Sequence, residues 1–168
     1  MSRKTPAVAL LVAMLATAVA GRALARPAPI EPVEIPAAGA PTGPPSVEVL
    51  RAWDVRRAEA WARGDPRLLR PLYTRDSVAG RHDRAMLRSW ASRGLAVHDL
   101  RTQLLAVSEL RHTASTWTLL VTDRLVGGEA VGSGVRRPLP RDGASTRIVR
   151  LRLVAGEWRV AAVRPAGG

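Results

Sequence analysis

The chain has 168 residues, with 26 Lys+Arg against 14 Asp+Glu and a formal net charge of +12. It has no Cys, which excludes disulfide staples, thiolate catalysis, thiolate-ligated zinc or iron–sulfur clusters, and a lipid-modified cysteine anchor. A hydrophobic fraction of 46% excludes a wholly disordered chain.

The N-terminus reads as an address. Arg3 and Lys4 form a basic head, and an apolar run from Ala7 to Gly21 follows, broken only by Thr17. Arg22 and the small-residue pattern Ala23-Leu24-Ala25 close it. This is the layout of a secretory signal peptide over residues 1–25, with cleavage expected after Ala25. The run falls short of the ~20 residues that span a bilayer. The open alternative is an uncleaved membrane anchor through residues 5–25, with Arg22 snorkelling to the interface. Either reading places the remainder outside the cytoplasmic membrane, secreted or anchored to its outer face.

Residues 26–45 carry seven prolines in 20 positions. Proline removes backbone donors and fixes φ, so an extended, exposed linker is expected. From Ser46 the texture is that of a folded domain, expected over 46–164 with a short tail at 165–168. Leu50, Trp53, Ala60 and Trp61 recur at helical spacing, with Val49 and Arg57 on the same side, and Gly64 ends this first helix. Asp65-Pro66 predicts an N-cap and first-turn proline for a short second helix, Pro66 to Leu72. A third helix is predicted to start at Asp83, with Met86, Leu87 and Trp90 on one face and Gly94 as its stop.

Beyond Gly94 the period changes from 3.6 to 2. Residues 95–110 predict a long strand whose apolar phase slips after Leu104, from even to odd positions, which implies a bulge. In 115–126, Trp117, Leu119, Val121 and Leu125 share one face. In 145–154, Val149, Leu151 and Leu153 oppose Arg150 and Arg152. Ala155-Gly156-Glu157 predicts a turn into a last strand, Trp158 to Val163. The segment Gly127–Gly143, rich in Gly and Pro, is too long for a structureless connection in a small domain. A lid, a hairpin tip or a hidden strand pair are the open readings. The order predicts an α+β, cone-shaped domain, with three N-terminal helices packed on a strongly bent, mainly antiparallel sheet of about four to six strands.

At this point the residues resemble a family. The first helix with Trp53, Arg57 and Trp61, then Gly64-Asp65, Leu72-Tyr73 and the closing Trp158-Arg159-Val160 strand, is similar to nuclear transport factor two-like domains. The resemblance implies a curved sheet wrapped round helices with a pocket at the open end. It also implies a wide choice of roles, from isomerases, polyketide cyclases and dehydratases to non-enzymatic binding and assembly domains. The family's isomerases take an oxyanion tyrosine from the first helix. That helix has none here, and Tyr73 is the only tyrosine in the chain. The near-total use of Arg over Lys resembles a bacterial protein from a high-GC genome.

Asp123 has the parity of Trp117, Leu119 and Val121, so its carboxylate points to the apolar face. Unpartnered burial would raise its pKa and suit a general base. The alternatives are an ion pair with Arg57 or Arg147, or a solvent-exposed strand end. His98, alternating with Leu100, is a possible acid–base partner. On the first helix, Asp54 and Arg57 stand three apart and are placed to bond each other. Arg57, with Trp53, Asp54 and Trp61, is also a candidate ligand-binding group, its guanidinium suited to clamp an anion. Histidines at 82, 98 and 112 have no metal-ligand spacing, and neither a P-loop nor a dinucleotide fingerprint occurs, so no metal or cofactor is implied.

The positive charge is scattered and carries no interleaved aromatic platform, so nucleic acid is not an expected partner. A background attraction to anionic envelope polymers or lipid headgroups is expected. A homodimer through the outer face of the sheet remains open, although Arg150 and Arg152 would repel there. The reading is an exported, non-catalytic cone-fold domain binding a small apolar or anionic ligand or an envelope protein partner. The alternative is a small isomerase, cyclase or dehydratase using Asp123, with His98, in proton transfer.

Overall fold

The computed structural model describes residues 46–132 and 134–167. The predicted signal segment 1–25 and linker 26–45 lie outside the described residues. Helix α1 spans Ser46–Arg63, a 3-10 helix spans Pro66–Leu72, and α2 spans Val78–Ala91. Five strands follow: β1 Ala96–His112, β2 Thr116–Gly132, β3 Val135–Pro138, β4 Ser145–Val154 and β5 Glu157–Pro165. They form one antiparallel sheet in the order β1-β2-β4-β5, with β3 pairing the far end of β2.

Punctuation residues set the helix boundaries. Gly64 takes φ +61, which ends α1 cheaply because glycine has no Cβ to clash. Asp65 then caps the 3-10 helix by accepting from the Arg67 amide at 2.9 Å, with Pro66 opening its first turn. The third helix starts five residues earlier than the sequence suggested. Ser77 is its cap, accepting from the Gly80 amide at 3.2 Å, and Asp83 lies buried in its interior. An Asp ahead of an apolar run looks like a cap; here the carboxylate is turned inward, where donors from three other side chains meet it.

The strands show why the apolar phase changes. β1 shifts register against β2 at four places, two of which matter for the apolar phase: between His98 and Arg101, and between Leu104 and Ala106. The second shift falls at the predicted slip and turns Leu105 outward, 44% exposed. At the first, Asp99 adopts φ 51, a conformation Asp tolerates better than most residues. The 127–143 segment resolves into the strand pair among its three readings: Glu129–Gly132 of β2 pair with Val135–Pro138 of β3. Leu139 then folds over Gly128, where an added Cβ would lie 2.9 Å from Leu139 Cδ1.

The core fills the concavity. Trp61, Leu69, Leu72, Leu87 and Trp90 of the helical layer meet Val97, Trp117, Leu119, Val121, Leu151 and Val160 of the sheet. Leu153 shares the parity of Leu151 but is 39% exposed, next to the end of β4 and the turn into β5. At that end His112 stacks on Trp117 at 4.5 Å, and Trp117 leans on Trp158 at 5.3 Å. Trp61, Trp90 and Trp117 are buried in this core, and Trp53 and Trp158 pack against it half-buried.

Candidate functional site

The residues singled out on α1 divide between two places. Arg57 is committed to the interior. Its Nε and Nη2 donate to Asp83 Oδ2 and Oδ1, both at 2.8 Å. Trp61 Nε1 donates to Asp83 Oδ1 at 3.2 Å, and Tyr73 Oη donates to Asp83 Oδ2 at 2.7 Å. The Arg57 guanidinium also sits 5.9 Å from the Trp53 ring centre and 5.7 Å from that of Trp61. Trp53 in turn donates to the Leu72 carbonyl at 3.0 Å and meets Tyr73 edge-to-face. One buried carboxylate thus ties α1, α2 and the end of the 3-10 helix together. Burial pushes the Asp83 carboxyl up, but the Arg57 charge and the bonds from Arg57, Tyr73 and Trp61 outweigh it and hold it below the usual carboxylate range. The predicted Asp54–Arg57 bond does not form; Arg57 turns Nε and Nη2 to Asp83 instead, and acts on Asp54 only through its charge.

Asp123 keeps the predicted parity and is buried. Its partner is Arg147 of β4, which donates to both carboxylate oxygens, and Ser145 Oγ lies 3.4 Å from Oδ1. Of the three readings left open for Asp123, this is the ion pair. His98 is exposed and stands opposite Glu129, six residues along either strand from the Leu104↔Asp123 pair. The structure does not bring His98 and Asp123 together.

Asp54 has the other environment. It lines an open groove of about 900 Å³ between α1 and β1. Leu100, Leu104, Val126 and Ala58 give the groove an apolar lining, and Arg51 and Arg101 supply cations at its edge. Arg57 also borders it, whereas Trp53 and Trp61 do not. Among the described residues no hydrogen bond or ion pair holds the Asp54 carboxylate. Burial pushes its pKa up; Arg57 and Arg147 pull it down and Asp123 pushes it up again, leaving it at about 6. Sequence reasoning gave Asp54 as the companion of Arg57. It missed both the raised pKa, which depends on packing against β1, and the role of Asp83. The second was traceable, since Asp83, Leu87 and Trp90 recur at helical spacing on one face.

An ionised Asp54 is penalised in the folded state, so stability rises as pH falls from about 6 toward the unfolded value near 4. Asp54→Asn is therefore expected to raise the unfolding free energy by about 1–2 kcal/mol at pH 7. The gain shrinks toward zero near pH 4, as read by urea unfolding at the two pH values.

The fold has relatives among solved structures. The intermembrane space region of chloroplast protein ARC6 matches with a TM-score of 0.52 at 11% identity, over 70% of this chain and 91% of that one. An NTF2-like protein from Cytophaga hutchinsonii matches with a TM-score of 0.44 at 16% identity, over 71% and 95% of the two chains. A cystatin-like fold protein from Caulobacter vibrioides matches with a TM-score of 0.43 at 14% identity, over 70% and 85%. No family profile matches the chain, and no curated protein sequence matches it. At such identities the likeness concerns fold alone. The architecture is an α+β cone, three helices on a curved antiparallel sheet of five strands, which is the fold that the resemblance of the residues implied.

Proposed function

We propose that the chain is an exported, non-catalytic binding domain that takes a small amphipathic anion in the groove between α1 and β1. The observation that carries this reading is the groove itself, which joins an apolar lining to cations at the edge. Leu100, Leu104 and Val126 suit the apolar body of a ligand, and Arg51 and Arg101 suit its charged end. Export rests on the N-terminal pattern of basic head, apolar run and Ala23-Leu24-Ala25.

Asp54 makes the reading testable by its sign. Above pH 6 its charge opposes an anion; below pH 6 the protonated carboxyl becomes a donor. Titration with 8-anilinonaphthalene-1-sulfonate, a fluorescent amphipathic anion, is expected to show tighter binding at pH 5 than at pH 7 by about fivefold, one screened charge–charge interaction. Asp54→Asn is expected to bind at pH 7 as the parent does at pH 5. Ala58→Trp, which sets an indole into the apolar part of the groove, is expected to weaken binding markedly. Dye binding that ignores both pH and Ala58→Trp would refute the reading.

One observation favours a second reading. A carboxylate without a bonded partner, with a pKa of about 6 beside an apolar wall, suits proton transfer near neutral pH. The acid–base group of an isomerase-type enzyme would then be Asp54, with Asp123 held by Arg147. Asp54→Asn separates the two: it strengthens anion binding under the first reading and abolishes turnover under the second.

A further inference from the structure

The helices cover one face of the sheet, and the residues on its other face follow from the register. Trp117, Leu119, Val121 and Asp123 of β2 are buried beneath the helices, so Thr116, Thr118, Leu120 and Thr122 face the convex side. Opposite Thr118 stand Arg111 on β1 and Arg150 on β4. Opposite Thr116 stands Arg152. Opposite Leu120 stands Ile148, which pairs in turn with Arg164 on β5.

Arg111, Arg150, Arg152 and Arg164 are all exposed, and among the described residues none forms an ion pair. The acids on the middle of the sheet, Asp123 and Glu109, sit opposite the inward residues, Asp123 facing Leu104 and Glu109 facing Leu119. Asp76 in the turn before α2 feels the charges of Arg152 and Arg150, and Glu157 bonds Arg159, the β5 partner of Arg152, so these two acids border the arginine cluster.

We propose that this convex face docks on an anionic lipid surface. The face offers donors and almost no acceptors of charge: guanidinium forks, which bind phosphate oxygens bidentately, with threonine hydroxyls between them. A second copy of the chain does not complement it, because a two-fold axis through the face would set Arg150 and Arg152 against their own counterparts. The sequence favours a bilayer over a soluble polyanion. An apolar run over residues 7–21 precedes the domain by a proline-rich spacer of 20 residues, whose extended reach is on the order of 60 Å. A domain released from, or held near, a bilayer meets headgroups at high local concentration. The proposal is independent of the groove reading.

The test compares the full chain on vesicles of pure phosphatidylcholine and on vesicles with about 30 mol % phosphatidylglycerol, by co-sedimentation. Any contribution of the N-terminal apolar run appears on both. The expected result is a phosphatidylglycerol-dependent gain that disappears in salt on the order of 0.5 M. The triple variant Arg111→Gln/Arg150→Gln/Arg152→Gln is expected to lose about a hundredfold, some fivefold per arginine. An equal charge removal from the helical side, Arg70→Gln/Arg84→Gln/Arg88→Gln, is expected to retain most of the gain. Five of the six side chains are exposed and Arg84 is half-buried, none belongs to the core, and thermal melts serve as the control that both variants fold. Equal binding to the two vesicle types overturns the proposal. So does equal loss in the two triple variants, or binding to soluble polyphosphate without binding to vesicles.

Discussion

Asp83→Ala is expected to lower the unfolding free energy by about 3–5 kcal/mol, read by urea denaturation at pH 7. The reason is the company Asp83 keeps. Removing its carboxylate leaves the Arg57 charge between two indoles without its counter-ion, and leaves the Tyr73 hydroxyl and the Trp61 indole N–H without an acceptor. Each stranded donor costs about 1–3 kcal/mol in a buried setting, and a stranded charge costs more. The double variant Arg57→Met/Asp83→Leu is expected to recover a large part of the loss, because it removes both charges and keeps apolar volume. Acid acts on the same group. The Asp83 carboxyl is held below its ordinary value, so its contribution is present above about pH 4 and is lost as pH falls through the folded value. Asp54 and Asp83 therefore pull the acid limb of the stability curve in opposite directions, with Asp54 favouring the fold between pH 6 and 4 and Asp83 failing below that.

Gly80→Ala is expected to cost about 3 kcal/mol, although alanine is the better helix former. Gly80 is buried on α2, and a Cβ there would lie 2.5 Å from Tyr73 Cγ and 2.6 Å from Tyr73 Cβ. Those atoms sit at the root of the tyrosine side chain, so the ring cannot swing clear without moving the backbone after the 3-10 helix. That backbone is pinned, since Tyr73 bridges Val160 of β5 and the Thr74 amide donates to the Val160 carbonyl at 3.1 Å. The displaced ring also loses its bond to Asp83. A melt of the Gly80→Ala/Tyr73→Phe pair separates the two causes: crowding persists with phenylalanine, whereas the hydrogen-bond loss is already included.

Much of the architecture was legible in the residues. The alternation Trp117, Leu119, Val121 identified the inner face of β2, and the phase slip after Leu104 identified a bulge. Gly64 and Gly94 marked two helix ends, both with positive φ. The third helix was misplaced because Asp and Ser compete as caps, and only the tertiary contacts of Asp83 decide which one is free. The β3 pairing was ambiguous because its four residues, Val135–Pro138, are too few to show a period. The site was less legible. Parity places Asp123 on the inner face but cannot say that Arg147, 24 positions away, will reach it. The pKa of Asp54 is a property of the space between α1 and β1, which no local pattern encodes.

Asp54 stands without a hydrogen-bonded partner in the groove proposed to receive an anion. Carbon-13 NMR titration of its side-chain carboxyl, with and without saturating 8-anilinonaphthalene-1-sulfonate, measures this directly. The account predicts a pKa of about 6 in the free protein and a further upward move with the dye, since a bound anion favours the protonated form. A free-protein value near the ordinary 3.8, or a value that the dye leaves unmoved, would contradict it.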